Sequence, residues 1–271
     1  MSLLAIPFPA FDPVLIQLGP LAIRWYALAY IAGLLGGWQL LKRMVARPGW
    51  TMTPEQVDDL LFFATLGVIL GGRLGFVLFY HPLYYLSNPL QILAVWQGGM
   101  SFHGGLVGVL VACWLFARSR GIPALEVGDA VATVTPIGLF FGRIANFING
   151  ELWGRPTEMP WGMVFPNAGP LPRHPSQLYE AALEGVLLFI VMQVMARGAR
   201  DPAAAGRLGG TFLLGYGLCR AFVELFREPD AHLGLLFGFI TMGQLLSLPM
   251  ILLGLVLIAW SRRDRGRRVA S

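Results

Sequence analysis

Charge is what this chain has least of. Asp, Glu, Lys and Arg make up 13% of its 271 residues, against about 25% in an ordinary soluble domain. With 56% hydrophobic residues beside it, so little charge cannot cover a water-exposed surface, which excludes a soluble enzyme and indicates a polytopic membrane protein. Cysteine is scarce too. Cys113 and Cys219 both fall inside apolar segments, which excludes a disulfide framework and makes them packing residues. The first residues carry no basic region and are interrupted by Pro7, Pro9 and Pro13, so no cleavable signal peptide is expected. There is no G-x-S-x-G, which argues against a serine hydrolase of that type. No H-E-x-x-H or carboxylate cluster suggests a metal, and no glycine loop with a lysine cradles a phosphate, so no metal or cofactor is expected. The net charge of +5 is no nucleic-acid signal, because the basic residues sit in short loops and the C-terminal tail.

What is present is apolar length. Segments near 19–41, 57–80, 101–117, 127–148, 178–196, 209–226 and 237–260 each approach the ~20 residues that cross a hydrocarbon core. The fold expected is therefore all-α, with seven transmembrane helices in one membrane domain over 1–271. Lys42, Arg43, Arg47, Arg118, Arg120, Arg197, Arg200, Arg207, Arg262, Arg263, Arg265, Arg267 and Arg268 fall on one side of a seven-span chain. Only Arg155, Arg173 and Arg227 fall on the other. Lys and Arg concentrate on the cytoplasmic side, so the N-terminus is read as outside and the C-terminus as cytoplasmic. Two long connections, 81–100 and 149–177, then lie outside. The first is aromatic and suits the membrane interface. The second is rich in Pro, Gly and Trp and is expected to form a small head. Gly67/Gly71, Gly71/Gly75, Gly104/Gly108 and Gly138/Gly142 are pairs four apart that allow close helix approach. No internal repeat is evident, which weighs against an inverted-repeat transporter.

Inside the spans, Arg24, Arg73, Arg143 and Arg220 remain. Each costs about 2.5–3.5 kcal/mol at a helix centre. All four sit toward the outer ends of their spans, with Arg143 and Arg220 roughly 8–9 Å below the outer surface at 1.5 Å per residue. The densest block is GRIANFINGELWGR, 142–155. Asn146 shares a helix face with Arg143, and Asn149, Glu151 and Arg155 follow. Arginine presents a planar fork that matches phosphate oxygens, although an arginine near an interface can also simply snorkel. Arg220 and Glu224 form an i,i+4 pair that is either structural or an anion-binding arginine with its support. His103, among glycines in GGMSFHGGLVG, has the side chain best suited to move a proton near neutral pH. It is equally readable as a hydrogen-bonded structural residue. Arg73 is expected in a structural ion pair, Trp25 in an aromatic belt, and Tyr26 either in that belt or turned inward. HPSQLYE, 174–180, opens the fifth span, where capping explains part of the polarity. His81 and His232 read as interfacial residues. No protein nucleophile stands out, so an enzyme built from these groups takes its nucleophile from a substrate.

RWYALAY (24–30), GGMSFHGGLVG (98–108), GRIANFINGELWGR (142–155), HPSQLYE (174–180) and the R-x-x-x-E of Arg220 and Glu224 resemble, in order and across nearly the whole chain, the bacterial prolipoprotein diacylglyceryl transferases. The resemblance implies a seven-span inner-membrane enzyme without cofactor. Such an enzyme moves a diacylglyceryl group from phosphatidylglycerol to the lipobox cysteine of a preprolipoprotein and releases glycerol phosphate. It further implies His103, Arg143, Asn146, Glu151, Gly154, Arg220 and Glu224 as sensitive positions, with Tyr26 and Tyr216 as further substrate-binding candidates. In this reading Arg143 and Arg220 clamp the lipid phosphate in the periplasmic leaflet. His103 is the candidate base, with Glu224 and Glu151 as rivals. The alternatives are a flippase that binds the same headgroup without chemistry and an intramembrane hydrolase.

Overall fold

The computed structural model describes residues 6–9, 11–19, 21–198, 200–229, 236 and 240–269. It is mostly helical. Five helical segments are long and apolar enough to cross a membrane: Pro54–Phe79, Phe102–Arg120, Ala124–Ile148, Ser176–Met195 and Met242–Arg262. They correspond to the second, third, fourth, fifth and seventh expected spans. The start proposed for the seventh, 237–239, lies outside the described residues, as does His232. Leu70, Leu74 and Leu78 on the second helix are each more than half exposed. Such outward apolar faces are unfavourable in water and ordinary in lipid.

The first expected span begins later than its hydropathy indicates. Val14–Leu18 (β2) and Leu21–Arg24 (β3) pair antiparallel, with Leu18 opposite Leu21. Gly19 turns between them at a φ of 60°, a left-handed conformation that glycine adopts without penalty. Helix α1, Trp25–Val45, starts only after this hairpin. Arg24 is accordingly an exposed strand residue before α1 and not part of that helix. A run of apolar, partly β-branched residues reads alike as strand or span, and the turn decides it. The other short strands, Ile6–Pro7 (β1) and Met163–Val164 (β4), pair in parallel.

Contacts divide the chain into two compact units, 41–128 and the remainder. In the first, α2 (Pro54–Phe79) packs on α4 (Phe102–Arg120) through glycine. A Cβ on Gly71 would lie 2.4 Å from the Gly104 carbonyl oxygen, and one on Gly108 2.1 Å from that of Gly67. Any side chain there would force the helices apart. Helix α3 (Pro82–Ser87) and two 3-10 turns follow α2, presenting Leu83, Leu86, Leu90 and Trp96 almost bare. Arg73 anchors this arm. Its guanidinium donates to the carbonyl oxygens of Ile92 at 2.8 Å and Gly98 at 2.6 Å, and also to those of Gln91 and Gly99. It lies 5.2 Å from the centre of the Tyr85 ring. The ion pair expected for Arg73 is replaced by backbone carbonyls, which an irregular loop leaves available. Glu126, at the start of α5 (Ala124–Ile148), accepts from the Thr51 and Met52 amides and the Thr51 hydroxyl, capping the approach to α2.

The other unit holds the rest of α5, the continuous helix Ser176–Met195, α8 (Arg207–Val223) and α9 (Met242–Val269). Buried Asp129 accepts from the Gly206 and Gly209 amides at 2.9 and 2.8 Å, satisfying two donors at the start of α8 that no helical carbonyl reaches. Helices α8 and α9 approach through Gly210 and Gly254. Gly138 and Gly142 differ from the other pairs: a Cβ on either would meet nothing within 4 Å. Gly138 matters as a receiver, since a Cβ on Gly33 of α1 would come within 3.2 Å of its Cα. Both cysteines are free.

Candidate active site

Helix α5 delivers Arg143 from an apolar stretch, and the helix Ser176–Met195 delivers two acids against it. Residues Ala181–Leu187 form a π-helical turn, a rare geometry that often marks functional sites. At its centre Gly185 sits so close to α5 that a Cβ would lie 2.7 Å from that of Phe140. This contact is one helical turn from Arg143, and it brings Glu180 and Glu184, both fully buried, to the arginine. Arg143 Nε lies 3.3 Å from Glu180 Oε2 and Nη2 lies 3.5 Å from Glu184 Oε2. The first contact is an ion pair without hydrogen-bond alignment, because Glu180 Oε2 has no hydrogen-bond partner. Glu184 Oε1 has none either.

Helix α8 brings Arg220 to Glu180 as well. Its Nη1 lies 2.5 Å from Glu180 Oε1 and its Nη2 lies 2.6 Å from Glu224 Oε1, so the expected i,i+4 pair is present. Arg227 adds contacts of 3.5 Å to Glu180 and 3.9 Å to Glu224. Glu180 thus touches three guanidinium groups. The side chain of Glu224 is tucked under Gly243 of α9, where a Cβ would lie 2.5 Å from its carboxyl carbon. Tyr216 stands on α8 within electrostatic reach of Glu184, Arg220 and Arg143. Buried charges persist only when paired, and this cluster pairs three arginines with three glutamates.

Arg143 does not engage the amides expected beside it. The Asn146 amide donates instead to Glu151 Oε1 at 2.8 Å, with Asn149 at 3.5 Å. The Glu151 carbonyl accepts from Gln177 at 2.6 Å and the Leu152 carbonyl from Ser176 at 2.9 Å. Ser176 therefore spends its hydroxyl on this loop and not on capping its own helix. The grip holds Leu152 at a φ of 60°, uncommon for a branched side chain. Tyr26, in the first turn of α1, feels the charges of Glu151 and Arg143, and its hydroxyl lies 3.4 Å from that of Tyr30.

Residues 149–177 form a knot of backbone pairs, not a loose loop. Gly154 donates to the His174 carbonyl at 2.8 Å and Arg155 to that of Phe226 at 2.8 Å. A Cβ on Gly154 would lie 2.5 Å from the Phe226 oxygen, so only glycine fits. The Arg155 side chain donates to the Arg227 carbonyl, and Arg173 pairs with Glu228 at 3.0 Å. Phe8, Phe147, Trp153 and buried Phe165 stack as a small aromatic core. His174 packs on Phe226, and its Nδ1 lies 3.0 Å from the Tyr179 hydroxyl. Burial pushes its imidazole below the ordinary histidine range.

His103 belongs to the 41–128 unit. It sits in the first turn of α4 behind the Ser101 cap, exposed, with its ring against Phe102.

Glu184 is the member that sequence reasoning passed over, while Glu180 was read only within HPSQLYE and Arg227 only as an outer-side basic residue. The signal for the two acids was available: carboxylates four apart in an apolar span are as costly as the arginines.

The family model described as prolipoprotein diacylglyceryl transferase matches residues 13–260. The phosphatidylglycerol–prolipoprotein diacylglyceryl transferase of Paramagnetospirillum magneticum is 60% identical over 267 residues, covering 98% of this chain and 99% of the relative. The proteins of that name from Rhodospirillum rubrum and Methylocella silvestris are each 59% identical, the first covering 97% of both chains and the second 95% of this chain and 96% of the relative.

Proposed function

The chain belongs to the prolipoprotein diacylglyceryl transferase family, and from that premise we propose that the cluster joined by Glu180 holds the phosphate of its lipid donor. The enzyme transfers the diacylglyceryl group of phosphatidylglycerol to the lipobox cysteine thiol of a preprolipoprotein, releasing glycerol phosphate. The observation that carries the site assignment is that Arg143 and Arg220, on different helices, both reach the one buried carboxylate of Glu180. Two guanidinium forks converging from two sides form an anion clamp.

The chemistry follows from the groups present. A thiol with an ordinary pKa of about 8.5 gives its proton to a base. The sulfur then bonds to the glyceryl carbon that bears the phosphate ester oxygen, and the carbon–oxygen bond breaks. The electron pair leaves on phosphate, and guanidinium groups already placed at that oxygen stabilise the charge as it grows. His103 is the base in this reading. Glu224 is engaged by Arg220 and Glu151 by Asn146, which supports leaving proton transfer to the exposed imidazole. Asn146, Gly154, Tyr26 and Tyr216 shape the substrate side.

The membrane reading extends to seven spans by adding α1, 21 residues, and α8, 17 residues, the latter about 25 Å long at 1.5 Å per residue. The distribution of Lys and Arg supports an outside N-terminus, a cytoplasmic C-terminus, the inner membrane as location and a site in the periplasmic leaflet. The exposed arm at 82–97 supports anchoring in the lipid interface. The whole chain then acts as one transferase, with 81–100 and 149–177 as its arm and head.

The test mixes purified protein with phosphatidylglycerol and a lipobox peptide, following peptide mass and glycerol phosphate, for the native chain and Arg143→Ala. A diacylglyceryl mass gain that the variant abolishes supports the clamp. An Arg143→Ala variant of native activity overturns it.

A further inference from the structure

The charges of the clamp cancel before any substrate arrives. Arg143, Arg220 and Arg227 face Glu180, Glu184 and Glu224. Phosphatidylglycerol brings one negative charge on a phosphodiester that stays ionised at all physiological pH. Inserting it into a neutral, largely buried cluster leaves one charge uncompensated, which a low-dielectric site resists strongly. The site must shed a negative charge or gain a proton.

The three carboxylates are not held equally. Glu180 is contacted by three arginines. Glu224 is contacted by two, the nearer at 2.6 Å. Among the described residues, Glu184 has a single close cationic contact, Arg143 at 3.5 Å through Oε2, while Oε1 is buried with no partner. The groups facing it are Arg143 on α5, Glu180 on its own helix, and Tyr216, Cys219 and Arg220 on α8. A phosphate seated on Arg143 competes for the one guanidinium that, among the described residues, Glu184 contacts closely. It leaves a fully buried carboxylate beside a second anion, with Glu180 close by as a third. Protonation then gives Oε1 a hydrogen to donate and restores neutrality.

We propose that Glu184 takes up a proton when the anionic headgroup binds, so that lipid loading of this transferase is proton-coupled. The inference rests on the phosphate-clamp reading given above.

The experiment titrates short-chain phosphatidylglycerol into the full-length protein in detergent, in weakly buffered solution with a pH-indicator dye. Lipid affinity is measured in parallel from about pH 6 to pH 9. The native protein takes up about one proton per lipid bound, and its affinity falls up to tenfold per pH unit where free Glu184 is ionised. Glu184→Gln, neutral at every pH and close in shape, binds without proton uptake and with a flat pH profile. A thermal melt confirms that it is folded. If it does not fold, the native proton count alone decides. Lipid binding without proton uptake by the native protein overturns the inference and leaves the clamp standing. Uptake that persists in folded Glu184→Gln also overturns it, assigning the proton elsewhere. Failure of the native protein to bind the lipid at all overturns the clamp itself, and the coupling with it.

Discussion

Replacing Glu180 with glutamine isolates what the buried carboxylate contributes. The amide keeps the size of the side chain and one acceptor oxygen but removes the charge that three guanidinium groups share. Its two closest contacts are Arg220 at 2.5 Å and Arg143 at 3.3 Å. A hydrogen bond to a charged group contributes about 1.5–3 kcal/mol and a neutral one about 0.5–1.5, so over the one short aligned hydrogen bond, from Arg220, the exchange loses about 1–1.5 kcal/mol. Charge count alone does not predict weaker lipid binding, because the cluster becomes net positive and welcomes an anion. The loss belongs to geometry: the arginines no longer share one fixed partner, and their alignment on the leaving phosphate loosens. At 1.36 kcal/mol per decade, kcat falls about 5- to 13-fold, with KM for phosphatidylglycerol unchanged or lower. The assay is glycerol phosphate release against lipid concentration with a saturating lipobox peptide, accompanied by a thermal melt. Combining Glu180→Gln with Arg220→Gln loses little more than Arg220→Gln alone if Glu180 acts through that arginine. A folded Glu180→Gln with kcat within threefold of native, or one whose defect lies wholly in KM, refutes the reasoning.

Gly243→Ala puts a methyl group 2.5 Å from the Glu224 carboxyl carbon, so activity is expected to fall at least tenfold through a displaced Glu224, while a melt shifts only slightly; native activity would show that Glu224 can move freely. Gly71→Ala sets a Cβ 2.4 Å from the Gly104 carbonyl oxygen and is expected to destabilise by about 1–3 kcal/mol. Gly128→Ala, with nothing within 4 Å, stays neutral or gains about 0.5–1 kcal/mol; equal melting shifts for the two would sink the close-packing account. Arg73→Ala leaves four backbone carbonyls without their donor, so limited proteolysis should cut within 81–100 well before it cuts the native protein. His174 sits below its unfolded pKa because of burial; the folded state therefore binds its proton less readily, and stability is lost as pH falls below about 6.5. The melting difference between native protein and His174→Asn should shrink on acidification, and a difference that widens would contradict the burial argument.

The arginines were legible because lipid makes a charge conspicuous. In an apolar segment Arg143 and Arg220 stand out on cost alone, and both lie in the cluster. The α2–α4 glycines were legible for a similar reason, since three residues at four-residue spacing on one helix have little purpose except close approach. Glu180 and Glu184 carry the same cost but were masked by a plausible local explanation: Pro175 and Ser176 make the segment look like an ordinary helix start. The structure turns Ser176 toward the Leu152 carbonyl instead, and both acids meet Arg143 of α5. A helical-wheel reading at 3.6 residues per turn does not carry through Ala181–Leu187, because the π geometry changes the period where Glu184 sits. Arg73 failed differently. Arginine was assumed to need an acid, yet an irregular arm whose carbonyls are not all taken up by regular structure supplies acceptors enough. The hairpin before α1 was hidden because Leu, Ile and Ala suit strand and span equally, and only the left-handed Gly19 separates the two. For Arg73 the residue was noticed and its partner was not, whereas Glu184 was not singled out at all. Partner choice in this protein is set by backbone departures: a π turn, a 3-10 arm and a left-handed Leu152. Those are the features a periodicity argument averages away, and the candidate chemistry is built on them.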